Sequence, residues 1–272
     1  MNKIDVDRIS NVPETMLIPL WARAVEARQV QPIVRDLKAV EIMERIDYDF
    51  SKFRKARLSQ VGVSIRTMLL DGETRGFLER RPEAVVINLG AGLDTRFERL
   101  GADRIRAWYD LDLPEAVELR QRVLSPGPRN TFLAKSLLDF SWMDDVAEGG
   151  SPVLIIAEGL FMYFTEDELR PLFQRLVERF PHAEMLFEML SPMMVGKARY
   201  HDSVTKVGGA IEFRWGVRDS RALESWDVRL HFVAEWNYLD YHRERWGIMR
   251  WPALIPAFRR NFNNRIVHLQ FD

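Results

Sequence analysis

At residue 84 the chain changes its hydrophobic rhythm, and that change constrains the fold more than any other feature. AVVINLG (84–90) is a short, β-branched apolar run that stops at a glycine. A run with no polar face fits a strand covered on both sides, the setting of a parallel sheet. RIRAWYDLD (104–112), TFLAKSLL (131–138), PVLIIAEG (152–159) and AEMLFEML (183–190) repeat the pattern. Helical stretches separate them. Pro114 is placed to start PEAVELRQRVL, and Thr165-Glu166-Asp167-Glu168 is a capping box in which Thr165 caps the helix and Glu168 reaches back. Strands alternating with helices make βαβ units, hence an α/β fold around a mostly parallel sheet. VRLHFVAEWNYL (228–239) and RIVHLQFD (265–272) are two further strand candidates.

Residues 1–80 have a different period. ETMLIPLWARAVEAR, KAVEIMERI and KARLSQVGVSIRTMLLDGETRGFLER carry apolar residues at helical spacing. Pro13, Pro19 and Pro32 punctuate them, so several short helices are expected. Residues 192–226 are less regular, rich in Gly, Arg and Trp, and read as a lid-like insertion, with helix as its expected secondary structure.

Composition excludes several function classes. With 39 basic and 40 acidic residues the formal net charge is -1, which exerts no general pull toward nucleic acid or an anionic membrane. The absence of cysteine removes disulfides, thiolate nucleophiles and cysteine metal sites. The five histidines are scattered, without metal-ligand spacing. MNKIDVDRIS has no apolar signal core, and the apolar stretches are shorter than a membrane span, so a soluble cytoplasmic protein, monomer or homodimer, is expected.

The chemistry concentrates at the ends of the strand candidates. In INLGAGLDTR (87–96), Gly90 and Gly92 permit a tight turn and close approach of a ligand. Asp110 and Asp112 follow about twenty residues on, at the end of the second strand, where a ribose-binding carboxylate belongs. The third glycine of a dinucleotide fingerprint is replaced by Thr95. That glycine allows close helix packing beneath a pyrophosphate. Its loss speaks against a nicotinamide-dependent oxidoreductase and for a nucleoside ligand without phosphates, such as S-adenosylmethionine. Glu158 ends the fourth strand, where a buried carboxylate is costly unless it holds something.

LGAGLDTR, YDLDLPE and IAEGLFMYF, in that order, resemble the leucine carboxyl methyltransferase family, and in particular its bacterial polyketide O-methyltransferase branch. ETMLIPLWARAVEAR, IDYDF and FRWGVRD are similar to that branch too, so the likeness runs from about residue 13 to the end. The resemblance implies a class I methyltransferase (Rossmann-like) fold: a mostly parallel seven-stranded sheet with helices on both faces. The expected organisation is one domain over 1–272, with a helical N-terminal cap (1–80), a cofactor-binding core (81–191), the insertion (192–226) and final strands (227–272). The cofactor implied is S-adenosylmethionine, with S-adenosylhomocysteine as product. By motif, the resemblance sets Gly90 against the cofactor, Asp112 on the ribose, Ser136 and Leu137 beside the adenine, and Glu158 in the pocket wall. It sets Arg57 on the methionine carboxylate. Asn88 and Asp94 stand where the generic methyltransferase loop often has a strand-end acid and a third glycine.

Methyl transfer to oxygen needs alignment above all. A carboxylate acceptor is already ionised, whereas a phenol or alcohol requires a base or a lowered pKa. No unambiguous His–Asp pair is readable in the linear sequence, which favours a carboxylate acceptor. Arg23 and Tyr163 are candidate substrate contacts, and Phe213, Trp215 and Trp226 either floor an apolar acceptor pocket or pack the insertion onto the core. The expected activity is O-methylation of a small molecule, a polyketide-like or aromatic carboxylic acid. A protein carboxyl methyltransferase and a non-catalytic cofactor-binding protein stay open as alternatives.

Overall fold

A computed structural model describes residues 3–5, 14–101, 105–208, 211–251, 255, 258 and 261–272. Among these residues, seven strands form the central sheet: β1 (Val85–Leu89), β2 (Ala107–Asp112), β3 (Asn130–Ala134), β4 (Val153–Ala157), β5 (Glu184–Met189), β6 (Leu230–Asn237) and β7 (Arg265–Phe271). Their order is β3-β2-β1-β4-β5-β7-β6, with β7 alone antiparallel to both neighbours. The chain therefore starts mid-sheet, winds to one edge, and returns to fill the other. Reversal beside β1 leaves a crevice at the carboxyl ends of β1 and β4, the usual ligand position in such sheets.

Every residue of β1 and β4 is buried. Alternation along each strand then sends side chains into two separate cores. Val85, Ile87, Leu89, Val153 and Ile155 face one, which α4 (Glu166–Arg179) closes with Leu169, Leu172, Phe173 and Leu176. Val86, Leu154 and Ile156 face the other, which α3 (Arg57–Arg80) closes with Val61, Ile65, Leu69 and Phe77. This is why the runs lack polar alternation.

Helix ends follow local chemistry where they can. The capping box at Thr165 is formed: the Glu168 N–H donates to the Thr165 hydroxyl at 3.3 Å and the Thr165 N–H donates to Glu168 at 2.7 Å. Asp36 caps α2 (Leu37–Arg45), accepting from the Ala39 N–H at 2.9 Å. Pro19 falls in the first turn of α1 (Leu17–Ala27), where its missing N–H costs nothing; Pro13 lies outside the described residues. α3 has only Ala56 at its cap position. Asp202, from the far side of the sequence, serves instead, accepting from the N–H groups of Leu58 and Ser59 at 3.1 and 3.3 Å. That distant cap ties residues 192–226 to the helical N-terminal region.

Three details depart from the sequence expectations. At 24 residues, α3 is one long helix. The third strand stops at Ala134, and Ser136 turns out of the sheet by accepting from the Asp139 N–H at 3.1 Å. Among the described residues of 192–226 there are four short 3-10 turns rather than an α-helix.

Candidate active site

Strand register assembles the site. Leu89 pairs with Leu111 on one side and Ala157 on the other, so Gly90, Asp112 and Glu158 emerge side by side at one sheet edge. Gly90 and Gly159 both have left-handed backbone, with φ of 63° and 66°. A Cβ at 90 would stand 2.6 Å from Leu160 Cδ1, and one at 159 would lie 3.2 Å from Arg66 Nη2. The left-handed backbone favours glycine at both positions, and a Cβ at either would have to displace the Leu160 or Arg66 side chain. Above this edge opens a cavity of about 990 Å³.

The two acids of β2 divide their labour. Asp110 is buried and fully engaged, accepting from Arg120 at 2.7 Å, Asn88 at 2.9 Å, Asn130 at 3.0 Å and the Trp108 indole at 3.0 Å. Asp112 lines the cavity. Its two oxygens accept from the backbone N–H groups of Gly92 at 2.7 Å and Leu113 at 2.8 Å. Each carboxylate oxygen has a second lone pair, so the group is oriented yet still able to take two more donors. Burial pushes its pKa up from the usual carboxylate value.

Glu158 holds two arginines. Its Oε1 accepts from Arg66 Nε at 2.8 Å and its Oε2 from Arg96 Nη2 at 2.5 Å. The network continues outward. Arg66 also donates to Glu188 at 2.7 Å; Arg96 also donates to Asp94 at 2.7 Å and Asp71 at 2.8 Å. Arg99 bridges Asp71, Asp94 and Asp36, and Arg23 donates to Asp36 at 2.9 Å. Burial alone would raise the pKa of Asp94, but Arg96 and Arg99 outweigh it and hold the carboxyl well below its usual range. Glu158 is lowered likewise, with Arg66 and Arg96 overcoming burial. Glu188 moves the other way, raised by burial in spite of Arg66. Removing one partner from such a buried cluster strands a charge, at a cost of roughly 3–5 kcal/mol. Thr95, in the place of the third glycine, belongs to the same network: its hydroxyl donates to Asp36 at 2.6 Å and accepts from Arg99 at 2.7 Å.

Gly90, Asp112, Ser136, Leu137 and Glu158 all line the cavity. Arg57 does not. It is exposed at the first turn of α3, nine residues before the arginine that faces the site. Arg66 is that residue: it lines the cavity with Nε and Nη1 committed to Glu158 and Glu188, and its Nη2 lies over Gly159. Arg23 lines the cavity too, but Asp36 and the Leu93 carbonyl, the latter at 2.7 Å, fix its guanidinium beneath the glycine loop. Sequence reasoning missed Arg66, Arg96 and Glu188, whose partnerships span up to 122 residues of chain.

The opposite wall is apolar. Met162, Leu190, Met194, Val204 and Phe213 line it and pack in one apolar cluster. Phe213 packs on Tyr163, with ring centroids 6.0 Å apart. Burial drives the Tyr163 phenol up to about 12, so it stays protonated near neutral pH. Trp215 and Trp226 are not in this wall; they pack together, and against Phe161 and Phe173, in the core under α4. A polar patch formed by Ser59, His201, Asp202 and Ser203 interrupts the wall.

The residues present fit S-adenosylmethionine. A strand-end carboxylate with lone pairs to spare, a glycine approach and an arginine with a free edge match its ribose, its chain and its carboxylate. Fold and site together define a class I S-adenosylmethionine-dependent methyltransferase. Solved structures share the fold: a magnesium protoporphyrin IX methyltransferase from Synechocystis matches with a TM-score of 0.50 at 12% identity, over 89% of this chain and 100% of that one. A DUF574 family protein from Streptomyces avermitilis matches at 0.56 with 11% identity, over 93% and 97%. Residues 17–177 match the leucine carboxyl methyltransferase family. The tetracenomycin polyketide synthesis O-methyltransferase TcmP of Streptomyces glaucescens is 34% identical over 270 residues, 97% of this chain and 98% of that protein. The chain belongs to the leucine carboxyl methyltransferase family.

Proposed function

We propose that this methyltransferase acts on oxygen, forming a methyl ester or ether on a small aromatic or polyketide-like molecule. One observation carries the reading. A single cavity joins the polar sheet edge to an apolar wall, and its volume of about 990 Å³ lies at the top of the range for small-ligand sites, roughly 300–1,000 Å³. That leaves room for an acceptor beside the donor. The similarity to an O-methyltransferase of polyketide synthesis supports the same acceptor class.

S-adenosylmethionine supplies a methyl group already activated on a sulfonium. The protein then has three tasks: to hold, to align and to exclude water. Asp112 accepts from the ribose hydroxyls, while Ser136 and Leu137 flank the adenine. Gly90 lets the backbone come close. Arg66 directs its remaining N–H groups to the amino-acid carboxylate, the role expected of Arg57, and Glu158 holds Arg66 in place. Met162, Leu190 and Phe213 seat the acceptor against the donor and keep water out, which contributes alignment and desolvation.

Calorimetric titration with S-adenosylhomocysteine, with NAD as control, followed by an acceptor screen by mass spectrometry, tests this. Binding of the former alone and a mass gain of one methyl on an aromatic acid or phenol are expected. Methylation of a protein C-terminus in preference to any small molecule would contradict the acceptor class.

A further inference from the structure

Arg23, Arg66 and Arg214 all line the cavity, and they differ in how far their guanidinium groups are already spent. Arg23 is 1% exposed and gives its donors to Asp36 and the Leu93 carbonyl. Arg66 serves the donor end, where Glu158 and Glu188 hold it over Gly159. Arg214 belongs to FRWGVRD in the insertion, and its side chain is 44% exposed. Its partner is Glu168 of α4, with Nη1 3.6 Å from Oε2. That separation is too long for a hydrogen bond. Glu168 Oε2 already accepts from the Thr165 N–H at 2.7 Å and the Thr165 hydroxyl at 2.9 Å, so the capping box has filled both lone pairs of that oxygen. Among the described residues the Arg214 guanidinium donates no hydrogen bond.

The backbone fixes where this cation starts. The Arg214 N–H donates to the Met162 carbonyl at 2.7 Å, which sets residue 214 against the loop that leaves β4 at Glu158. Phe213 beside it is buried and packs on Tyr163, and Met162 and Leu190 complete an apolar seat. An apolar seat with an unspent guanidinium at its rim matches a planar apolar body that carries a carboxylate. Of the carboxylates in this half of the cavity, Asp202 is taken by Ser59 and by the N–H groups of Leu58 and Ser59, Glu188 is taken by Arg66, and Glu212 is exposed to solvent.

We propose that Arg214 is the specificity-determining residue of the acceptor site: it leaves Glu168 to pair with the carboxylate of an aromatic acid seated on Met162 and Phe213. The inference rests on the methyl-transfer reading above, and it moves the acceptor's cation from Arg23, the candidate drawn from the sequence, to the insertion. One carboxylate oxygen accepts from the guanidinium while the other attacks the methyl carbon. The carbon–oxygen bond forms as the carbon–sulfur bond breaks, with its electron pair staying on sulfur, and no proton is transferred. The ester is neutral and holds no ion pair, so Arg214 returns to Glu168 as the product leaves. Because the acceptor's charge is fullest before the methyl group moves, Arg214 acts on binding more than on the chemical step.

A pair of ligands tests this on protein saturated with S-adenosylhomocysteine: 2-naphthoate and its neutral analogue 2-naphthamide, titrated by calorimetry. The unaltered protein should bind naphthoate about tenfold or more tighter than naphthamide, the scale of a charge-assisted hydrogen-bond pair. Arg214→Met should erase that preference and keep naphthamide binding within about twofold, and Arg214→Lys should recover part of it. With S-adenosylmethionine, Arg214→Met should raise KM for naphthoate about tenfold and keep kcat within a few-fold. Should that variant fail to fold, Arg214→Gln carries the same test. A naphthoate preference that survives loss of the guanidinium, equal binding of the two ligands by the unaltered protein, absence of naphthoate binding, or a fall in kcat with KM unchanged would overturn the proposal. Failure of the unaltered protein to bind S-adenosylhomocysteine would instead sink the methyltransferase reading itself.

Discussion

The floor and the wall of the cavity are built by opposite physics. In the floor, Arg23, Arg66, Arg96 and Arg99 are locked among Asp36, Asp71, Asp94, Glu158 and Glu188 on the ends of strands and the helices beside them. Each of these groups has several partners, so no one of them can rotate without stranding another. The wall is Met162, Leu190, Met194, Val204 and Phe213, carried by short 3-10 turns and loops. Apolar packing tolerates volume-conserving exchange at small cost, and an ionic network does not. A floor of the first kind suits one unchanging donor. A wall of the second kind can be re-cut for a new acceptor without disturbing the donor.

The largest effect separating the two should come from Arg96→Met. It leaves Asp94, Asp71 and Glu158 short of a partner, and urea unfolding should show a loss of roughly 3–5 kcal/mol. A loss below about 1 kcal/mol would mean that the network is not the rigid part. Next, Asp112→Ala should weaken S-adenosylhomocysteine binding by about 1–3 kcal/mol, the scale of a lost charged acceptor, with unfolding little changed. Undiminished affinity in a folded variant would remove Asp112 from the ribose.

Acid should act on the floor and spare the wall. Asp36 and Asp94 have folded pKa values below their usual 3.8. Their contribution is fully present above that value and is lost as pH falls through it toward the folded values. Glu188, raised above 4.5, has the opposite sign: what it contributes is present at low pH and lost as pH rises through its folded value. Thermal unfolding should therefore show stability dropping as the pH falls below about 4; a flat profile there would contradict the pairing. The smallest effect belongs to Arg57→Ala, an exposed change that should alter stability and cofactor affinity by no more than about 0.5 kcal/mol. A tenfold loss of affinity would restore Arg57 to the cofactor.

The same contrast explains what could be read from the chain. Strands and their order of chemistry were legible because fully buried parallel strands leave unbroken apolar runs, and because Gly90, Asp112 and Glu158 sit at the ends of such runs. The Thr165–Glu168 box was legible because both partners are local. Arg66 was not: α3 buries more than one side, so periodicity marks no single face, and its carboxylates lie 92 and 122 residues away. His201, Asp202 and Ser203 are consecutive, yet their meaning depends on Ser59, some 143 residues distant. No linear pattern joins them; the capping of α3 by Asp202 does.

The most direct test of a fixed donor floor facing an adaptable acceptor wall is S-adenosylhomocysteine calorimetry on the unaltered protein, on Asp112→Asn and on Phe213→Leu. The unaltered protein should bind with no response to NAD, Asp112→Asn should lose about 1–3 kcal/mol, and Phe213→Leu should bind like the unaltered protein. Equal losses in the two variants, or no binding by the unaltered protein, would contradict the division.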